Sequence, residues 1–156
     1  MIPMQCAVIL PPTVGRVARS TCPKINREIR DRTSARLNFY QGRGKQALTE
    51  RITELNREWD TERVLETNAA PVVLVSSLVG YKKSKCCCFL LTGTVGFFFL
   101  QHALQGWCPS LPVIRKLGIR TAEEISREKT VFKHMRGDFS HHTRCAEELL
   151  EAAEKN

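Results

Sequence analysis

The hydrophobic positions of the chain form two kinds of pattern, one periodic and one continuous. From residue 16 to residue 66, a charged side chain occurs about every third position. The clearest periodic stripe, with spacings of four, three and four, consists of Leu48, Ile52, Leu55 and Trp59. Residues at this spacing lie on one face of an α-helix, so the stripe predicts an amphipathic helix that packs on a core or along a membrane surface.

An earlier helix is predicted in the same region. Ser20 and Thr21 stand where an N-cap is expected, and Pro23 then lies in the first turn. This helix is expected to end near Tyr40, before two glycines at positions 42 and 44.

The continuous pattern consists of two segments that contain no Asp, Glu, Lys or Arg. The first runs from Ala69 to Tyr81 and has 13 residues, and the second runs from Cys86 to Leu104 and has 19. A bilayer core needs about 20 apolar residues in a helix, which the second segment nearly reaches. The first segment approaches this length only if the helix also includes Val64 and Leu65. The pair therefore predicts a transmembrane helical hairpin with a short basic turn.

The competing interpretation is a buried helical hairpin in a soluble protein. We favour the membrane, because a domain of 156 residues has little room to bury a helix that is apolar on every side. The predicted fold class is all-α, a two-helix transmembrane hairpin flanked by amphipathic cytoplasmic helices.

Small residues suggest how the hairpin pairs, because they let two helix backbones approach closely in lipid. The candidate helix-pairing residues are Ser76, Gly80, Thr92 and Gly96. The same seam would serve equally well to join two copies of the chain as a homodimer. Candidate anchors at the membrane interface, aromatic at one end and basic at the other, are Trp107, Lys82, Lys83 and Lys85.

The charge balance is consistent with an anionic partner or with an ordinary solvated basic surface. The chain has 24 basic and 16 acidic side chains, a net charge of +8, which suits lipid headgroups or nucleic acid. Six basic residues lie near the outer ends of the two spans and three lie in the turn. This bias favours both termini in the cytoplasm.

After the spans, Pro109 ends the second helix. Thr121 and Glu124 then form the S/T-x-x-E pattern of a capping box, which predicts a further helix that ends at Gly137. The predicted division of the chain is a disordered N-terminal extension over 1–14, an amphipathic helical region over 15–66, the transmembrane hairpin over 67–107, a post-membrane helical segment over 108–139 and an acidic tail over 140–156.

The segment from Gln101 to Thr121 resembles the end of the YgaP-like transmembrane domain, a bacterial family with two membrane helices. The most specific residues of this resemblance, which extends over roughly 15–139, are Gly106, Trp107, Cys108 and Pro109. The resemblance implies a stand-alone protein of the bacterial inner (plasma) membrane. Some relatives carry a rhodanese domain, which is not expected here because no cysteine loop lies between a strand and a helix. The family implies no established activity for the stand-alone form.

Several side chains are candidates for chemistry. Cys108 lies near Arg115 and Lys116, and a nearby cation favours the reactive thiolate, although a helix C-terminus opposes it. We expect a structural cysteine more than a catalytic one. His102 is an ionisable residue near the end of a span, where it is expected to hydrogen-bond its neighbours.

Weak metal-ligand candidates occur in an H-H-x-x-C cluster, formed by His141, His142 and Cys145. The side chains of Cys86, Cys87 and Cys88 would point in different directions on a helix, so they make a poor zinc site. No cofactor is predicted.

Three functions remain open from the sequence. The first is a non-enzymatic membrane anchor or interaction module that binds the bilayer, itself and an unknown protein. The second is a membrane-bound sulfur-transfer or thiol-redox accessory that uses Cys108. The third is a soluble basic helical protein that binds nucleic acid, which the low aromatic content of 7% and the apolar run at 86–100 make less favoured.

Overall fold

The computed structural model describes residues 12–139 and the single positions Glu147, Leu150 and Glu154. Within this part of the chain the secondary structure is entirely helical, which confirms the predicted all-α class. The helices are α1 (Arg16–Arg19), α2 (Pro23–Tyr40), α3 (Lys45–Arg57), α4 (Thr61–Lys83), α5 (Cys86–Gln105), α6 (Leu111–Lys116) and α7 (Ala122–Arg136). Most of the predicted extension over 1–14 and of the acidic tail lies outside the described residues.

Local side-chain chemistry fixes several helix ends. Helix α4 begins at Asp60, whose carboxylate accepts a hydrogen bond from the backbone N–H of Arg63 at 2.8 Å. The predicted capping box of α7 is confirmed, with Thr121 and Glu124 each accepting a hydrogen bond from the other's backbone N–H.

The predicted N-cap of α2 is wrong. The N-cap is Cys22, and Pro23 is the first helical residue. The hydroxyl of Thr21 instead donates to the carbonyl of Val17 at 2.7 Å, so it closes the short helix α1 rather than opening α2. The Thr21 hydroxyl can bond either to a carbonyl one turn earlier or to an N–H in the first turn of α2, and the sequence alone does not show which bond forms.

The amphipathic stripe on α3 forms a hydrophobic core with α7. Leu48, Ile52 and Leu55 are almost fully buried and pack with Ile125 and Phe132. These side chains are therefore covered within the chain, as the core interpretation predicted. Trp59 does not belong to the stripe, because α3 ends at Arg57. Its ring is 46% exposed and lies under the guanidinium of Arg63.

Helices α4 and α5 form an antiparallel hairpin. The turn consists of Ser84 and Lys85, and Ser84 adopts a left-handed conformation with φ of 49°. Helix α4 continues through Pro71, so the predicted first span is part of a longer helix of 23 residues.

The remaining helices meet the end of the hairpin opposite the turn, which we call the base of the hairpin. A second hydrophobic core joins this base to α1 and α6, and its buried members are Val17, Leu65, Cys108, Leu111 and Ile114. The backbone N–H and the hydroxyl of Thr61 both donate to the carbonyl of Arg120, at 2.8 and 3.0 Å. We call α1–α3, α6 and α7, with their loops, the helical unit.

Candidate functional site

The seam between α4 and α5 is polar and tightly packed. The hydroxyl oxygens of Ser76 and Thr92 lie 2.7 Å apart across the hairpin. Each hydroxyl oxygen also lies within hydrogen-bond distance of a carbonyl one turn earlier in its own helix, that of Val72 or Cys88. Since each hydroxyl has one proton, one of them donates across the hairpin and the other donates to the carbonyl of its own helix. Both side chains are thereby satisfied without water, as a membrane-embedded hydroxyl must be.

Gly80 allows the two helices to approach closely. A Cβ atom added there would lie 3.1 Å from the Cβ of Cys88 and 3.2 Å from the ring of Phe89. Gly96 differs. Apart from its chain neighbours and the backbone of its own helix, a Cβ added at that position would have no heavy atom within 4 Å. The structure therefore brings Ser76, Gly80 and Thr92 together within one chain and leaves Gly96 on an open surface.

The outer faces of the hairpin are apolar and exposed. Large hydrophobic side chains that are more than half exposed occur along both helices and are Leu74, Val75, Leu78, Tyr81, Phe89, Leu90, Phe97 and Leu100. Polar groups inside and apolar groups outside reverse the usual order of a water-soluble protein.

The predicted interface anchors lie at the two ends of the hairpin. Lys82, Lys83 and Lys85 are exposed at the turn. Trp107 follows the end of α5 at the base and is 38% exposed. Cys86 and Cys87 are exposed and Cys88 is half-buried in the first turn of α5.

A buried histidine joins the two helices at the base. His102 is 3% exposed, and its Nε2 lies 2.9 Å from a carboxylate oxygen of Glu62. The other carboxylate oxygen of Glu62 faces the guanidinium of Arg16 at 3.5 Å. The partner of His102 therefore comes from the other helix of the hairpin, and the spacing of residues along α5 does not reveal it.

Cys108 is buried in the second hydrophobic core. Its sulfur lies 3.3 Å from the hydroxyl of Ser110, and the residue is only 3% exposed. Arg115, the cation that sequence placed near this thiol, forms two hydrogen bonds of 2.7 Å with the carboxylate of Glu124. The charge of Arg115 is therefore paired with Glu124.

Arg115 is itself fully buried and holds the helical unit together. Besides Glu124, it donates to the carbonyl of Ile119 and to the side-chain oxygen of Asn26, both at 3.0 Å. Burial raises the pKa of Glu124, but the hydrogen bonds from Arg115 and from the backbone of Thr121 outweigh burial, so the pKa lies below its ordinary value.

The carboxylate of Glu128 is buried and is bound by three arginines. Arg36, Arg51 and Arg120 all donate to it, and its side chain has no exposed surface. Burial raises the pKa of Glu128, but hydrogen bonds from Arg36 and Arg120 lower it further than burial raises it. Sequence reasoning missed this cluster because its members come from four separate segments and no local spacing connects them.

His141, His142 and Cys145 lie outside the described residues. Within residues 12–139, no group of three or more His, Cys, Asp or Glu side chains is arranged to hold a metal ion.

The fold and the seam are those of a membrane protein. Helices α4 and α5 contain segments long and apolar enough to cross a membrane, and few residues of those segments are buried within the chain.

The comparison with known families agrees with this class. Residues 60–124 match the family described as "Inner membrane protein YgaP-like, transmembrane domain", which confirms the predicted resemblance over these residues. The match covers less than half of the chain. It includes both helices of the hairpin, α6 and the capping box of α7. Together with the two apolar helices, it supports a membrane protein. No curated protein and no solved structure showed a significant match to the chain.

Proposed function

We propose that this protein is a non-enzymatic anchor or interaction module of the bacterial inner membrane, in which the hairpin holds the helical unit at the cytoplasmic face. The observation that carries the proposal is the reversed polarity of the hairpin. The hydroxyls of Ser76 and Thr92 face each other, while side chains such as Leu74, Leu90 and Leu100 point outward. This arrangement is stable in lipid and costly in water.

Membrane insertion is tested by fractionating cells that express the tagged protein and washing the membranes with carbonate. Retention in the washed pellet is expected. Release into the soluble fraction would overturn the proposal, because it would require the exposed faces of α4 and α5 to be covered by protein rather than lipid.

The cytoplasmic orientation rests on how the chain is distributed between the two sides. The whole helical unit lies at the base, and the turn contributes only a few residues to the other side. Basic residues near the base outnumber the three lysines at the turn, as the positive-inside rule requires of the cytoplasmic side.

Orientation is tested with two single-cysteine chains, one retaining Cys22 on α2 and the other carrying Ser84→Cys in the turn. Cys22 and Ser84 are both exposed, so accessibility to solvent does not distinguish them. A membrane-impermeant maleimide added to intact spheroplasts should label the turn cysteine, and should label Cys22 only after permeabilisation. The opposite order would place the termini outside the cytoplasm.

Self-association through the hairpin is the finer part of the proposal. Since Ser76 and Thr92 are bonded to each other within one chain, the predicted pairing residue that is left open to a second copy is Gly96, and Gly93, one turn earlier, is open as well. A glycine on an exposed helix face allows close approach of another helix.

The expected result is that Gly96→Leu lowers the yield of crosslinked dimer in membranes. The control is Thr94→Leu, because Thr94 is exposed and lies two residues away, on nearly the opposite side of α5. Equal dimer yields from the two variants would count against this surface.

A further inference from the structure

Four arginine side chains converge on one small cavity in the helical unit. Two come from α2, one from α3 and one from the loop before α7, and they are Arg32, Arg36, Arg51 and Arg120. Glu58, Ile29 and Gly118 complete the lining, and the volume is about 110 Å³. None of these residues belongs to the hairpin.

Positive charge exceeds negative charge around this cavity. The arginines share three carboxylates, since Glu128 accepts from Arg36, Arg51 and Arg120, Glu58 pairs with Arg120, and Glu54 pairs with Arg51. Four positive and three negative formal charges leave an excess of one positive charge. Proteins normally compensate clustered cations, so the excess favours an anion in the cavity.

Donors remain available at the cavity. Among the residues that the structure describes, no carboxylate lies within salt-bridge distance of Arg32, and the Nε of Arg51 is buried without a hydrogen-bond partner. Arg32 reaches over Gly118, where a Cβ atom would lie 3.0 Å from its Nη1. Glycine at that position therefore lets the free guanidinium close over the cavity.

We propose that this cavity binds a phosphate group. Guanidinium groups present planar forks of N–H donors that match the oxygens of phosphate, and they remain charged at every physiological pH. The volume is well below the roughly 300 Å³ of the smallest typical small-molecule pockets, so the group enters without a large attached body inside the cavity. It is either free inorganic phosphate or the phosphate of a lipid headgroup that reaches in from outside.

The test compares Arg32→Gln with Arg30→Gln in the full-length protein. Both arginines are exposed residues of α2, and each variant removes one positive charge, but Arg30 does not line this cavity. In detergent, inorganic phosphate should raise the Tm above that in chloride at the same ionic strength. Arg32→Gln should weaken the apparent phosphate affinity roughly tenfold, as expected for the loss of one charge-assisted hydrogen bond, and Arg30→Gln should not.

A second arm identifies the source of the phosphate. The protein is placed in nanodiscs of phosphatidylcholine alone or with one third phosphatidylglycerol. Stabilisation by phosphatidylglycerol that depends on Arg32 supports a headgroup, and a response to inorganic phosphate alone supports the free anion. The inorganic-phosphate arm does not depend on membrane insertion. Equal losses in the two variants, or no gain over chloride and phosphatidylcholine, would overturn the proposal.

Discussion

The Nε2 of His102 in α5 lies 2.9 Å from the carboxylate of Glu62 in α4, and the two residues lock the base of the hairpin. The histidine is buried, and its Nδ1 has no partner among the described residues. Glu62 is therefore the one described side chain that satisfies this ring. The pair lies beside Arg16, so it also ties the hairpin to α1.

Glu62→Ala should lower stability by about 1 kcal/mol, because it leaves the buried imidazole without any hydrogen bond. The estimate stays at the low end of the usual range because Glu62 is 36% exposed and water can partly replace it. Thermal unfolding in detergent measures the change. Glu66→Ala, an exposed site one turn further along α4, is the control, and an equal loss there would contradict the role of the pair.

Gly106→Ala should destabilise the protein more than Gly42→Ala. Both glycines have positive φ, 75° and 80°, so each substitution incurs the left-handed backbone penalty of about 1 kcal/mol. Only at Gly106 would the new Cβ also lie 2.7 Å from the backbone of Arg16, whereas at Gly42 it meets open space. Equal unfolding free energies for the two variants would show that α1 does not pack against this glycine.

Glu124→Gln should cost about 3–5 kcal/mol, because it leaves the fully buried Arg115 without its balancing charge. Glu123→Gln is the matched control. Glu123 pairs with the exposed Arg127 one turn later, and such a surface pair contributes little. Chemical denaturation of both variants checks the contrast, which fails if they unfold at the same denaturant concentration.

Acid should destabilise the helical unit through Glu124 and Glu128. The pKa of each is lower in the folded state than its ordinary value, so each stabilises the fold above the ordinary carboxyl pKa of about 4.3. That contribution is lost as the pH falls through the lower pKa of the folded state. The Tm should therefore decline steeply below about pH 4.3.

The slope of this decline, rather than the absolute stability, is the informative quantity for Glu128. Glu128→Gln should flatten it, whereas Glu66→Gln at an exposed site should keep it. Identical slopes in the two variants would mean that Glu128 does not titrate differently in the folded and unfolded states.

Cys108 should react with maleimide far more slowly than Cys22 in the folded protein. Cys108 is 3% exposed within a hydrophobic core, and Cys22 is exposed at the start of α2. Both should react at similar rates once the protein is unfolded. Rapid labelling of Cys108 in the native state would revive the thiol-redox hypothesis.

Patterns that depend on a single helix were predicted well from the sequence. The stripe of Leu48, Ile52 and Leu55, the capping box at Thr121, and the two apolar segments are local, so their spacing carries the information. Trp59 was assigned wrongly for the same reason. The period continues through it, but the helix ends first at Arg57.

Contacts between distant segments were beyond the sequence. Small residue size predicted that Ser76 and Thr92 contribute to helix pairing, whereas nothing in the sequence indicated that Gly96 faces away from α4. The arginines around Glu128 are 92, 77 and 8 positions away from it. Charged residues at such separations look like an ordinary solvated surface until the fold brings them together.

Helix α4 is one arm of the hairpin and is also bonded to the helical unit. Its first residue, Thr61, is bonded to the Arg120 carbonyl, and the same helix continues without interruption to Lys83. At 1.5 Å per residue, its 23 residues make a rod of about 35 Å. A bilayer that thins or thickens changes the tilt of such a rod. Because Thr61 bonds the start of this rod to the helical unit, a change in tilt also changes the angle between the helical unit and the membrane surface.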